Sequence, residues 1–419
     1  MKTHPHFRPE HELLILCAEA VSSNTSNHRI PELLASGISW SNLLLLADRN
    51  EILPLVYSRL SSFTEQIPSG ALAILKKRSA SIASWNLALA SELLTVSTHL
   101  KRNGVRATAF KGPALAMALY GHLGLRHCRD LDLLIDAGQV WDAVRILEAE
   151  AYLLAGQFPL RPEREWLKVY KDVALRNPAT GVHVELHWAV CEPAFDARVH
   201  AADLWQQTET VTVLGAPVSF PSPSTLLFLL AIHGMRHYWN SLKWITDIDR
   251  CVRAYPALDW QSATEVADSL ARRRTLLLPL KLCQDLLRTP LPAGISSRVE
   301  GEAGVCWLVD QISDDLFKKS QRFSISDAFL LQSRSAAESD ISRKLVRARA
   351  KDSIDDRLRY VLLLIRQFLQ PDAIDTQSTR TWRKPNWLFW IVQPLRLMRA
   401  HGVRFFLRTS KELFNAVIR

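Results

Sequence analysis

Asp130 and Asp132 flank a leucine at the head of a short apolar run, residues 131–135, and this pattern constrains the chain more than any other. The run has the length and composition of a strand. Side chains two apart on a strand point the same way, so both carboxylates share one face while Leu131, Leu133 and Ile135 take the other. That face must supply partners for two negative charges. Upstream, Phe110-Lys111-Gly112-Pro113 reads as the end of a strand, a turn and a helix start, with Pro113 where proline is favoured. Downstream, Glu185 sits in a second extended run, 182–190, from which it can reach the same cluster.

The rest of the chain frames this block in helices. Apolar spacing near 3.6 predicts helices over 10–22, 31–34, 40–49, 52–60 and 71–100. Gly104 ends the last of them and opens a strand at 105–110. A helix at 113–120, the strand at 131–135 and a helix at 140–149 follow. Residues 177–181 read as a turn between extended runs at 173–176 and 182–190, and a second hairpin is expected around 215–217, joining 211–213 to 218–220. From 223 to about 369 the pattern is helical again. The expected fold class is α+β, a small mixed sheet embedded in a mainly helical protein. The expected divisions are 1–103 (N-terminal helical region), 104–221 (core with the carboxylates), 222–371 (C-terminal helical domain) and 372–419 (linker and basic amphipathic tail). A chain of 419 residues is long enough for such a core.

The carboxylates suggest chemistry. Magnesium takes hard oxygen ligands, commonly one or two carboxylates plus substrate phosphates. Two ions about 4 Å apart can hold the attacking and leaving oxygens of an in-line displacement. Asp130, Asp132 and Glu185 would supply the metal ligands. Gly112 lets backbone N–H groups approach phosphate oxygens. Lys111, Arg126 and Arg129 add positive charge for a triphosphate. The competing reading is an exposed Asp-x-Asp turn beside a buried strand.

These residues carry a family resemblance. Lys111-Gly112, Arg126-x-x-x-Asp130-Leu131-Asp132-Leu133-Leu134-Ile135 and Val184-Glu185-Leu186-His187-Trp188 resemble the uncharacterised nucleotidyltransferase family of the DNA polymerase β-like superfamily. The resemblance extends upstream to Trp40 and Arg49-Asn50-Glu51-Ile52-Leu53-Pro54-Leu55. Downstream it reaches His233 and Leu242-Lys243-Trp244-Ile245-Thr246-Asp247-Ile248, so that it covers about 30–255. It implies a polymerase β-like sheet and transfer of a nucleoside monophosphate from an NTP to a hydroxyl or phosphate of an unidentified acceptor, with release of pyrophosphate. It implies Mg²⁺, with Mn²⁺ as the alternative ion, bound by Asp130, Asp132 and Glu185, the last helping to deprotonate the acceptor. Lys111-Gly112 stands where the wider superfamily carries Gly-Ser.

Other residues have two readings. His183, Glu185 and His187 alternate along one strand face, so the histidines either orient Glu185 and contact substrate or form a metal site with nitrogen ligands. His233 and His237 lie one helical turn apart. Lys243 and Asp247 form an ordinary i,i+4 pair; because the resemblance includes them, His233, Lys243 and Asp247, with His187, are weaker substrate-binding candidates.

The six cysteines are scattered singly, with no metal-ligand spacing and no disulfide framework. No apolar run approaches the length that spans a bilayer. A cytoplasmic protein is expected. The net charge of +10 is concentrated at the end: nine basic residues against Glu412 over 380–419. That basic amphipathic tail could pack on the protein, lie at the inner membrane surface or contact nucleic acid. A catalytically inactive binding protein that retains the fold and acts through this tail is the alternative function.

Overall fold

The computed structural model describes residues 8–20, 24–155, 163–190, 208–318 and 346–369. The basic tail and the stretch 333–340 lie outside them, as does Cys191. The described residues within 1–270 and 275–320 form one compact unit, so the expected divisions at 103 and 221 fall inside it. Residues 271–274 and the described part of 321–419 belong to a second unit.

Among the described residues, eight α-helices and five strands precede residue 208. Helices α1 (Pro9–Ala18), α2 (Asn24–Ala35), α3 (Trp40–Arg49) and α4 (Leu53–Leu60) precede a long helix, α5 (Ser69–Arg102). Strand β1 (Ala107–Ala109) is followed by α6 (Gly112–Tyr120), β2 (Leu131–Ile135), α7 (Val140–Ala149), β3 (Leu153–Leu154), α8 (Glu163–Val169), β4 (Asp172–Arg176) and β5 (His183–His187). The hairpin β6 (Thr208–Val213) and β7 (Ala216–Pro221) leads into α9 (Pro223–Arg236), α10 (Leu242–Ala254), α11 (Trp260–Ser269), α12 (Arg273–Leu287), α13 (Ala293–Gly301) and α14 (Ala303–Lys318). Helix α15 (Ile354–Leu369) lies in the second unit.

The sheet runs β1-β2-β5-β4-β3 and is mixed: β2 pairs parallel with β5, and every other neighbour is antiparallel. The fold is therefore α+β. The parallel register sets Asp132 opposite Glu185 and Leu134 opposite His187. The antiparallel register on the other side sets Asp172 opposite His187. The turn between β4 and β5 closes through Asn177, whose side-chain oxygen accepts from Ala179 N at 2.9 Å, and through Gly181 at φ +74°.

Three local outcomes differ from the expectation. Strand β2 is buried along its whole length, Asp132 included, so its polar face meets protein and not open solvent. The β6–β7 turn is the two-residue Leu214-Gly215, both with positive φ, and Pro217 lies inside β7 opposite Thr212. The short elements β3 and α8 carry too few apolar positions to register as a period. Tyr152 anchors the first of these: its hydroxyl donates to Glu92 of α5 at 2.5 Å, and Asn177 donates to the same oxygen at 2.6 Å.

Candidate active site

The sequence brings the acidic cluster together through register alone. Asp132 and Glu185 occupy opposed positions on parallel strands, and His187 follows two residues later on the same face of β5. His187 Nε2 lies 3.1 Å from Asp132 Oδ1 and 3.1 Å from Glu185 Oε2. One ligand-capable atom from each of Asp132, Glu185 and His187 lies within 4.8 Å of the others. Among the described residues this is the group of at least three that could hold a metal ion, and Asp130 is not in it. Two hard carboxylate oxygens and one imidazole nitrogen suit a divalent cation with mixed O/N ligands.

Lys111 closes the cluster from the other side. It is the residue before α6, buried, with Nζ 2.5 Å from Asp132 Oδ1 and 3.4 Å from His233 Nδ1. Gly112 begins the helix at φ +62°, and a Cβ there would sit 3.1 Å from the carbonyl oxygen of Asp130. Glycine is thus required both by the backbone conformation and by the close approach to the Asp130 peptide. The start of α6 lies against the Asp130 peptide at the head of β2, and the positive end of a helix favours an anion.

These neighbours set the charge of each carboxyl. Burial pushes Asp132 up, but the Lys111 ammonium and the His187 hydrogen bond outweigh it and hold the group well below the usual carboxylate range. The His187 hydrogen bond, set against burial, lowers Glu185 to about 2. Burial, reinforced by the Asp132 charge, raises Asp130 to about 6. Burial and the Lys111 charge push His233 far below its ordinary value, so it is neutral.

The remaining predicted residues divide. Arg126 is buried, and its guanidinium engages both oxygens of Asp247 on α10: Nε–Oδ1 and Nη2–Oδ2 are each 2.8 Å. Tyr120 donates to the same carboxylate at 2.7 Å. Asn86 of α5 donates to the carbonyls of Leu123 and Arg126 at 2.5 and 2.6 Å and accepts from Cys128 N. Arg126 and Asp247 therefore brace the loop that delivers Asp130, and the guanidinium is committed to that brace. Lys243 pairs with Glu51 and lies over the Trp244 ring, 4.1 Å from its centroid. Arg129, largely exposed, reaches the other oxygen of Glu51 at 3.0 Å. His233 and His237 both pack against Trp244, with His237 stacked on it. His183, at the start of β5, is exposed and outside the metal-capable group.

Two residues escaped the site reading of the sequence. Asp172, at the start of β4, places Oδ2 3.6 Å from His187 Nδ1. Glu51 has φ +55° and collects Lys243 and Arg129, with His127 Nδ1 3.9 Å away. Asp172 belongs to no motif, and Glu51, though inside the upstream motif, lies far in sequence from the carboxylates. Only the strand pairing and the docking of Asn50 on the start of α10 bring them in, the latter through Ser241 Oγ at 2.7 Å and Leu242 N at 3.0 Å.

A family profile described as uncharacterised nucleotidyltransferase matches residues 36–288, more than half of the chain and all of the site just described. The chain belongs to the uncharacterised nucleotidyltransferase family. The match spans α3 to α12 and so takes in the helices that brace the site as well as the sheet. No curated protein matches the chain. An antigenic nucleotidyltransferase-like protein from Paracoccidioides brasiliensis is a structural neighbour at 16% identity and a TM-score of 0.28, covering 50% of this chain and 94% of its own. That similarity is too low to carry an argument.

Proposed function

We propose that this member of the nucleotidyltransferase family transfers a nucleoside monophosphate from an NTP to an acceptor hydroxyl or phosphate, releasing pyrophosphate, with a divalent cation such as Mg²⁺ or Mn²⁺. The observation that supports this most is the side-by-side placement of Asp132 and Glu185 on parallel strands beside the Lys111-Gly112 helix start. Asp132 and Glu185 would hold the cation. When bound, it would neutralise the phosphate charge that develops at the reacting phosphorus.

The chain's own residues would do the rest. Asp130, whose carboxyl is raised to about 6, is the member of the acidic set closest to neutral pH and the candidate to take the acceptor proton. Lys111, paired with Asp132 at the start of α6, would hold a phosphate oxygen. The N–H groups at the start of α6 would cradle the phosphates. Arg129 and Lys243, now on Glu51, supply a second positive region for the leaving pyrophosphate. Arg126 and Asp247 would act by holding the loop. Equilibrium binding of a non-hydrolysable NTP, with and without Mn²⁺, tests this reading: ion-dependent binding supports it. A protein that binds no NTP under either condition would instead point to a binding protein acting through its basic tail, which deletion of 380–419 would expose as lost localisation.

A further inference from the structure

The geometry points to an imidazole nitrogen, His187 Nε2, as a metal ligand of this site, with Asp172 as the residue that positions the ring. The inference rests on the metal-dependent reading above and specifies the ligand set. A site built from carboxylates alone treats Mg²⁺ as its natural ion. A nitrogen ligand favours ions further along the first transition series, such as Mn²⁺ or Zn²⁺.

Three observations support it. First, Nε2 is equidistant, at 3.1 Å, from an oxygen of Asp132 and one of Glu185, as a ligand facing a shared ion would be. Second, the ring is 2% exposed and caught edge-on against Phe110, centroids 5.4 Å apart at 89°, so it has little freedom to turn away. Third, the opposite nitrogen, Nδ1, is buried and has no hydrogen-bond partner among the described residues, and Asp172 Oδ2 stands 3.6 Å from it. Asp172 is itself paired with the buried Lys171. Metal-bound histidines typically donate their second N–H to a carboxylate, which fixes tautomer and orientation. An approach of roughly half an ångström would bring the pair into the range of such a bond, about 2.7–3.2 Å, leaving Nε2 free to ligate. The antiparallel register, Asp172 opposite His187, makes the pairing a property of the sheet and not of a mobile loop.

Electron spin-echo spectroscopy of the full-length protein loaded with Mn²⁺ alone, without nucleotide, tests this. The expected result is a ¹⁴N coupling from a directly bound imidazole, lost in His187→Gln. In Asp172→Asn the coupling should persist while Mn²⁺ affinity, by titration calorimetry, falls about 10- to 100-fold. Circular dichroism and melting of each variant separate ligand loss from unfolding. Bound Mn²⁺ with no ¹⁴N coupling would overturn the imidazole ligand and leave the nucleotidyltransferase reading standing. Unchanged Mn²⁺ affinity in Asp172→Asn would overturn the positioning role. Absence of any Mn²⁺ binding by the folded protein would remove both this inference and the metal-dependent reading it rests on.

Discussion

Arg126 and Asp247, 121 residues apart in sequence, form a fully buried two-point ion pair that fastens the loop before β2 to helix α10. The pair turns a surface-looking Arg near an acidic motif into a structural clamp, and it ties the site to a helix outside the sheet.

Removing one partner leaves the other charge buried and uncompensated, which costs about 3–5 kcal/mol. Arg126→Ala and Asp247→Ala should each lower stability by that order in urea unfolding. A double replacement by apolar residues of similar volume, Arg126→Met with Asp247→Leu, should cost far less, because no orphaned charge remains. Equal losses for single and double variants would refute the clamp.

Gly112→Ala meets two penalties. The left-handed backbone costs about 1–2 kcal/mol for a residue with Cβ, and the added carbon would sit 3.1 Å from the Asp130 carbonyl. A drop in thermal stability together with weaker NTP binding is expected; binding at wild-type strength would show that the approach of α6 to Asp130 is not needed for the nucleotide.

Asp130 should leave a signature in the pH dependence of stability. Its folded value of about 6 lies above the ordinary aspartate value of 3.8, so the folded state holds the proton more tightly than the unfolded one. Its contribution is favourable at low pH and is lost as pH rises from about 4 to 6. Glu185, lowered to about 2, works oppositely and loses its contribution as pH falls below its ordinary 4.5. In protein treated with chelator, the stability of Asp130→Asn relative to wild type should therefore rise between pH 4 and pH 6 and then level off. A flat difference across that range would mean the carboxyl is not raised.

How much of this was legible beforehand depended on sequence distance. Residues 131–135, the 177–181 turn and helices α3, α6 and α7 follow from local alternation, glycine and proline positions and 3.6 spacing, and they appear where the pattern puts them. The pairing of Asp132 with Glu185 needed only two strands with carboxylates on matching faces. Burial of Asp132 was not legible, because the residues that cover it, Lys111 and His187, reach it only after β2 and β5 align. The roles of Arg126, Asp172 and Glu51 depend on partners from other elements. Arg126 looked like a phosphate ligand because nothing local announced Asp247. Asp172 opens a short strand with no motif of its own. No helix among the described residues is long and apolar enough to cross a membrane, and the basic tail lies outside them.

Asp132→Asn should separate chemistry from folding. Neutralising a carboxylate that accepts from Lys111 and His187 keeps its shape while removing the charge a cation needs. Activity should fall at least ~10²-fold, the scale of losing a group that stabilises transition-state charge. The far-ultraviolet spectrum should not change. A variant with undiminished turnover would remove Asp132 from the metal site.

The most direct test of the whole account is transfer of label from α-phosphate-labelled NTPs, with Mg²⁺ or Mn²⁺, into a lysate of the source cells, using Asp132→Asn as control. Label retained on an acceptor with wild-type protein, dependent on the ion and lost in the control, is the predicted result. No retained label with any of the NTPs, from folded protein that also fails to bind NTP in the presence of either ion, would contradict it.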